Sequence, residues 1–570
     1  MRSMNSRGFR ILAAALVVGA TLSVASAQCE PGGGLDRISR GLGGQASNER
    51  SLLPAISGDG CVIAFKSYAS NLVENDTNEK VDVFAFDRRA DSVERVPARP
   101  ATGSSGNPND NSFPPGLNFD GTIAAFASLS NNLTGSNETT PGDINTDADV
   151  FVYDRLAQQT SVLTLREDGE LGGGAPDLPP SLSGDGRFVA FSASSNKIVG
   201  NDFNEAYDVF VYDRDTGATE LISVATTGSD AGKAAKLASN GGVISADGCV
   251  VAFYSDAPNI VAADRNDVRD VFVRNRCSGE SERISVASDG SEGNAASQAG
   301  GFQPGISGDG QLVVFASNAS NLDEGDDNGL SDVFLRDRSS ATTRRLSEAA
   351  NGESANGGSE YPAISADGRF VAFQSAASNL VDGDNNGFSD IFVVEVATGA
   401  IRRLSAPGSE PNGNSSAPQL NADGTVVVFQ SDADNLTDDD GNGFTDIFAA
   451  FNELSFTPTP TETPTPTSTS TVTRIPPTTT PSIVPTQPSP TPDGFTPTPT
   501  GNGGNVTPSA TRTATSDGNN GQGGDGGGGC SCRVDPQSGQ GPDPAPLAAA
   551  LLPLALWTLR RRRSRPTGAR

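Results

Sequence analysis

Seven stretches of this chain carry Asp-x-Asn-x-x-x-Asp, a spacing of side-chain oxygens that suits either a hard cation or a locally hydrogen-bonded turn. They are Asp76/Asn78/Asp82, Asp143/Asn145/Asp149, Asp202/Asn204/Asp208, Asp264/Asn266/Asp270, Asp326/Asn328/Asp332, Asp384/Asn386/Asp390 and Asp440/Asn442/Asp446. The last two lengthen to Asp382-x-Asp384-x-Asn386-Gly387-x-x-Asp390 and Asp438-x-Asp440-x-Asn442-Gly443-x-x-Asp446, and the fifth keeps the arrangement from Glu324 through Gly329 to Asp332. Oxygen ligands at positions 1, 3, 5 and 9, with glycine at 6 for the sharp bend, can wrap calcium. The expected calcium ligands are therefore Glu324, Asp326, Asn328 and Asp332; Asp382, Asp384, Asn386 and Asp390; and Asp438, Asp440, Asn442 and Asp446. In the first stretch Glu79 replaces the glycine, and the second to fourth have no acid at position 1. For those four the expectation is a turn in which Asp and Asn bond to nearby backbone and the last Asp orders the strand that follows.

The chain contains no histidine, which excludes Ser-His-Asp and Cys-His catalysis and every histidine-bearing zinc site within it. Paired carboxylates could still cleave glycans. Here, though, the aspartates recur at each repeat, whereas a catalytic pair should stand out as an irregularity. The second repeat is the irregular one, with Phe113-Pro114-Pro115 and a longer acidic loop. The formal charge is −29 even though the two end segments add nine arginines and no acid, so the central part is more acidic still. Such a surface repels phosphate backbones, making nucleic acid an unfavourable partner and cations or basic surfaces favourable ones.

The elements that must position these loops come from an internal repeat. Each unit starts with a short apolar strand and a turn: Ser57–Gly60, Asn118–Gly121, Ser183–Gly186, Ser245–Gly248, Ser307–Gly310, Ser365–Gly368 or Asn421–Gly424. Asp-Gly supplies the positive φ angles of a two-residue hairpin. A second strand follows with Phe65, Phe126, Phe191, Phe253, Phe315, Phe373 or Phe429; then comes the acidic loop and a third strand with Phe84, Phe151, Phe210, Phe272, Phe334, Phe392 or Phe448. A fourth is legible at Glu282–Val286, Arg344–Ser347 and Arg402–Ser405. Four-stranded units of this kind should stack radially with both phenylalanine series between blades. Asp36–Arg40 reads as a fourth strand with no unit before it, while the last unit stops after its third strand, so the N-terminal strand is expected to close the ring. The fold class is all-β, a seven-bladed β-propeller of four-stranded blades over residues 28–454.

The repeat sequence Pro362-Ala363-Ile364-Ser365-Ala366-Asp367-Gly368-Arg369, followed by Val371-Ala372-Phe373, resembles the WD40-like repeats of the TolB propeller family across essentially the whole folded part. The resemblance implies a propeller, a fold that hosts protein binders, sugar binders and enzymes alike. The N-terminal domain of TolB has no counterpart here. The acidic loops of the last three units look like the calcium loops of integrin-type propellers. Cys249 begins a second strand and Cys277 ends a third, which places them side by side for a disulfide; Cys29 and Cys61 are either a second pair or two free thiols.

Residues 1–27 combine a basic start, the apolar run Ile11–Ala20 and Ala25-Ser26-Ala27, the pattern of a cleaved export signal. Residues 455–529 are Thr/Pro-rich and then Gly-rich, so a disordered, extended stalk is expected. Residues 530–570 hold Cys530 and Cys532, the apolar stretch Pro546–Leu559, expected as a short helix, and Arg560–Arg563. In that order they resemble the myxobacterial-type C-terminal sorting signal, which implies cleavage near Cys530–Cys532 by an envelope sorting protease and attachment at the cell surface; the other reading is a retained membrane anchor. The expected function is an exported, surface-anchored module that binds or scaffolds a protein or polysaccharide, stiffened by calcium. A carboxylate-based glycan hydrolase or lyase and a purely structural envelope component stay open beside it.

Overall fold

The computed structural model describes Cys29 and residues 34–456, apart from 98–106, 135–145, 167–168, 170, 196–197, 227–230, 263, 299, 350 and 407. The segment expected as an export signal, most of the expected stalk, Cys530, Cys532 and the rest of residues 530–570, like Asp143 and Asn145, lie outside the described residues.

Twenty-eight strands form seven four-stranded antiparallel sheets, and six of these are built from strands consecutive in sequence. The seventh is completed from the other end of the chain: Leu35–Arg37 lies against Asp446–Phe451, with Leu35 opposite Ala450 and Arg37 opposite Phe448. The ring therefore closes as the sequence predicts. Outer strands are placed slightly earlier than expected, at Glu280–Arg283, Thr342–Arg345 and Ile401–Arg403, because the hydroxyl-bearing residues beyond them leave the ladder to bind the neighbouring strand's aspartate.

In each blade the two phenylalanines are cross-strand partners, as in Phe65 opposite Phe84 with ring centroids 6.1 Å apart. The pair faces the preceding blade, so Phe65 and Phe84 pack with Val426, Val428, Ile447 and Ala449 of blade seven. The same arrangement repeats at every interface, for instance Phe373 and Phe392 against Val314, Val333 and Leu335. Offset aromatic pairs buried this way add a specific stacking contact to the aliphatic packing between blades.

The hairpin turns differ from expectation in one respect. Only the glycine takes a positive φ, 74° at Gly60 and 72° at Gly368, and its N–H closes a four-residue turn on Ser57 or Ser365. This is a type I turn with a following left-handed residue. Asp keeps its ordinary φ because its carboxylate accepts the Ser57 hydroxyl at 2.6 Å and the Cys61 N–H at 3.0 Å. The turns also bond to one another around the ring. N–H groups of Asp59, Phe119, Gly184, Ala246, Gly308, Asp367 and Ala422 donate to carbonyls of Phe119, Gly184, Ala246, Gly308, Ala366, Ala422 and Gly58 at 2.8 to 3.0 Å. This belt encircles one end of the channel.

Both disulfides are present: Cys249–Cys277, with Cα atoms 5.4 Å apart, and Cys29–Cys61, at 5.2 Å. Among the described residues no helix is long and apolar enough to cross a membrane.

Candidate functional site

Inner and third strands run in the same direction, so the acidic loops and the starts of the inner strands share the face opposite the belt. Their junction is hydrogen-bonded: Ser359 donates its N–H to the Ser331 carbonyl at 2.7 Å, and Ser51 to Thr445 at 2.8 Å.

The last Asp of each loop is fully buried at the head of the third strand. In blades two to seven its Oδ1 accepts a hydroxyl 15 residues downstream, or from the closing segment in blade seven: Thr164, Ser223, Ser285, Ser347, Ser405 and Ser39. That hydroxyl in turn accepts the N–H of the residue after the Asp, as Ile391 donates to Ser405 at 3.0 Å. The loop Asn bonds locally. Asn386 Nδ2 donates to Asp390 Oδ2 at 2.9 Å while its Oδ1 accepts the Phe388 N–H at 2.8 Å. Local bonding of Asp and Asn thus extends to blades five to seven, where a cation is the sequence-based expectation.

In those blades the structure places an arginine between the acidic groups. Arg403 Nη1 lies 2.8 Å from Asp384 and 3.2 Å from Asp390. Arg345 Nη1 is 3.5 Å from Asp326, and Arg37 Nη1 is 3.5 Å from Asp440 and 3.9 Å from Asp446. Blades one and four do the same with Arg95 on Asp76 and Asp82 and with Arg283 on Asp264 and Asp270. The residues expected at position 1, Glu324, Asp382 and Asp438, stay exposed, whereas those at positions 3, 5 and 9 gather. Among the described residues no three acidic or cysteine side chains are grouped so as to hold a metal. Burial raises the acids even so, Asp326 to about 6 and Asp440 to about 7, with neighbouring carboxylates adding to the rise and the arginines opposing it. Sequence reasoning missed these arginines. The available signal was spacing: Arg95, Arg283, Arg345 and Arg403 each follow the last Asp by thirteen positions.

The channel mouth on the same face departs from the repeat. Blades one, four, six and seven have six-residue inner strands with a bulge, at Ser51–Ile56, Ser239–Ile244, Ser359–Ile364 and Ser415–Leu420. Blades two, three and five keep only Gly116–Leu117, Ser181–Leu182 and Gly305–Ile306, although the proline before each of them has its counterpart in Pro54, Pro362 and Pro418 inside full-length inner strands. The freed segment Asp177–Pro180 of blade three reaches sideways. Asp177 pairs with Lys66 of blade one at 2.9 Å, and the Pro179 carbonyl accepts Gln303 Nε2 of blade five at 3.0 Å.

Between these segments lies a cavity of about 330 Å³ lined by Leu53, Leu178, Phe302, Gln303, Tyr361 and Gln419, among others. The half-buried rings of Phe302 and Tyr361 meet there at an interplanar angle of 35°. Leu53, Tyr361 and Ala417 all hold φ of 52°, a conformation unfavourable for side chains other than glycine and retained where surrounding structure enforces it. The Leu53 N–H is held by Gln430 Oε1 at 2.7 Å and the Ala417 N–H by Gln374 Oε1 at 3.3 Å. Burial pushes the Tyr361 hydroxyl up to about 12, with the charge of Glu360 adding to it, so the ring stays neutral at physiological pH.

No protein-family model matches this sequence, and no curated protein matches it. Among solved structures it is similar to the oligogalacturonate lyase VPA0088 of Vibrio parahaemolyticus, at 12% identity and a TM-score of 0.42 over 72% of this chain and 91% of that one. It is also similar to TolB of Acinetobacter baumannii, at 13% identity and a TM-score of 0.32 over 65% and 76% of the two chains. A third is the propeller domain of the Trilobed protease of Pyrococcus furiosus, at 10% identity and a TM-score of 0.41 over 70% and 96%. Likenesses this distant carry no activity across.

Proposed function

We propose that this chain is an exported, surface-displayed binding module whose channel mouth holds a segment of polysaccharide. The observation that carries the reading is the half-buried Phe302–Tyr361 pair, with Tyr361 on a strained backbone, flanked by the amides of Gln303 and Gln419 and by the Lys66–Asp177 pair. Sugar rings present apolar C–H faces that stack on aromatic rings, and their hydroxyls exchange hydrogen bonds with amides and charged groups; one concave, largely apolar pocket with a few polar groups supplies both. Among the described lining residues Asp177 is the single carboxylate, and it is ion-paired. Hydrolysis by two carboxylates would need a second one in the same cavity, so the lining favours holding over cleaving. The export signal and surface attachment expected from the two ends of the sequence would give such a module access to extracellular or envelope glycan.

The test is calorimetric titration of the mature protein with a panel of neutral and anionic oligosaccharides, repeated with Phe302→Ala. Binding that Phe302→Ala weakens at least tenfold, with the melting temperature preserved, supports the reading. Wild-type protein that binds no glycan, or binding untouched by Phe302→Ala, overturns it.

A further inference from the structure

Blades two and three break the arginine pattern, with Val162 and Leu221 in its place. In the cross-strand register, Phe272, Phe334, Phe392 and Phe448 stand opposite Arg283, Arg345, Arg403 and Arg37; at the same position Phe210 stands opposite Leu221. Leu221 is buried among Phe210, Ile198 and Val224 and brings no charge. The acidic pair that an arginine serves elsewhere is nevertheless retained. Asp202 is 1% exposed and neither of its carboxylate oxygens has a hydrogen-bond partner; Asp208 is fully buried, with Oδ1 on the Ser223 hydroxyl at 2.6 Å and Oδ2 without a partner. The loop amide keeps the carbonyl bond that Asn78, Asn266 and Asn328 also make, and its nearness to Asp208 opposes the rise in that carboxyl without supplying a charge. Asn78, Asn266, Asn328, Asn386 and Asn442 all donate to the last Asp of their own loops, and Asn204 Nδ2 donates to the Ala235 carbonyl at 2.6 Å.

Two carboxylates are thus buried side by side without the cation that five other blades place there. A buried anion without a counter-charge is strongly unfavourable. In blade six the single nitrogen Nη1 of Arg403 lies 2.8 and 3.2 Å from the two acids, so the fold positions such a pair about one shared positive centre. We infer that blade three holds a divalent cation, calcium by the all-oxygen chemistry of its ligands, between the carboxylates of Asp202 and Asp208 at the position that arginine occupies in five other blades. The remaining coordination positions fall to water and backbone carbonyls, as calcium's six to eight oxygen ligands allow. The other way to relieve the pair is protonation. Burial raises Asp208 to about 8, with the charge of Asp202 adding to it, and Asp202 to about 6. A proton and a metal ion predict different behaviour toward chelator.

The experiment compares the mature wild-type protein with Asp202→Asn and Leu221→Arg, measuring bound calcium after equilibrium dialysis and melting temperature in calcium and in chelator. The expected result is one calcium fewer per chain in both variants than in wild type. Chelator should lower the melting temperature of wild type but lower that of Leu221→Arg less, because the introduced guanidinium replaces the ion. Asp202→Asn isolates the ligand, and Leu221→Arg keeps the test decisive if the first variant folds poorly. Equal calcium content in all three proteins, or a chelator effect that Leu221→Arg leaves undiminished, overturns the inference and leaves the pair as protonated acids.

Discussion

Arg403, on the outer strand, and Asp384 form an ion pair of 2.8 Å, both side chains largely withdrawn from water, against a loop whose residue types read as a calcium site. The oxygens that would coordinate a metal serve a guanidinium instead. The reason is geometric: a cluster of carboxylates prepared for one positive charge accepts another of similar reach, and arginine offers planar, forked donors that match carboxylates.

Removing that arginine should expose the latent site. Arg403→Met leaves Asp384 and Asp390 buried without a partner cation, and breaking a buried pair from one side costs about 3–5 kcal/mol. Denaturant unfolding in chelator should show a loss of that order. Calcium should restore part of it and add one bound ion per chain.

The phenylalanine pairs predict a second, metal-independent effect. Phe392 is completely buried and stacks on Phe373 with centroids 5.9 Å apart at the interface with blade five. Phe392→Ala should cost about 3–5 kcal/mol in equilibrium unfolding. The deficit should be the same in calcium and in chelator.

Blade one supplies a pH test. Burial pushes the Asp82 carboxyl up to about 7, with the charge of Asp76 adding to it and Asn78 and Arg95 opposing, and its Oδ1 has no hydrogen-bond partner. A carboxyl raised in the folded state holds a proton that the unfolded chain releases at its ordinary value. Its contribution to stability therefore falls as pH rises from about 4 to about 7, and changes little beyond. Asp82→Asn removes that fall. Melting temperatures of the two proteins should diverge in the variant's favour between pH 5 and pH 8.

The Cys249–Cys277 bridge ties the ends of two paired strands in blade four. Cys277→Ser should lower stability by about 2–4 kcal/mol. Wild type treated with reductant should lose at least as much, since Cys29–Cys61 is also opened.

Much of the propeller was legible because its signals are local and repeated. Phe253 and Phe272 lie nineteen positions apart and the turn at Ser245–Gly248 precedes them, so one blade can be read from one window of sequence. The closing strand was legible for the same reason, since Asp36–Arg40 looks like a fourth strand with nothing before it. The partner of each acidic loop was not. Arg345 reaches Asp326 only through the pairing of the third strand with the outer one, and ligand types alone do not tell a metal from a guanidinium. The channel mouth was harder still, because Phe302 and Tyr361 belong to different blades and sit where the repeat fails. Irregularity at Phe113-Pro114-Pro115 was visible in the sequence, but the matching departures at Asp177–Pro180 and Gly300–Pro304 became readable only once their inner strands proved short.

The seventh blade also decides how the ring answers to tension. Its third strand, Asp446–Phe451, is hydrogen-bonded on one side to Val426–Ser431 and on the other to Leu35–Arg37, and the chain leaves the ring directly after it. A pull transmitted from the C-terminal side cannot peel an edge strand away one bond at a time. It loads both ladders in shear, and Leu35–Arg37 works as a cleat that couples the exit of the chain to its entry.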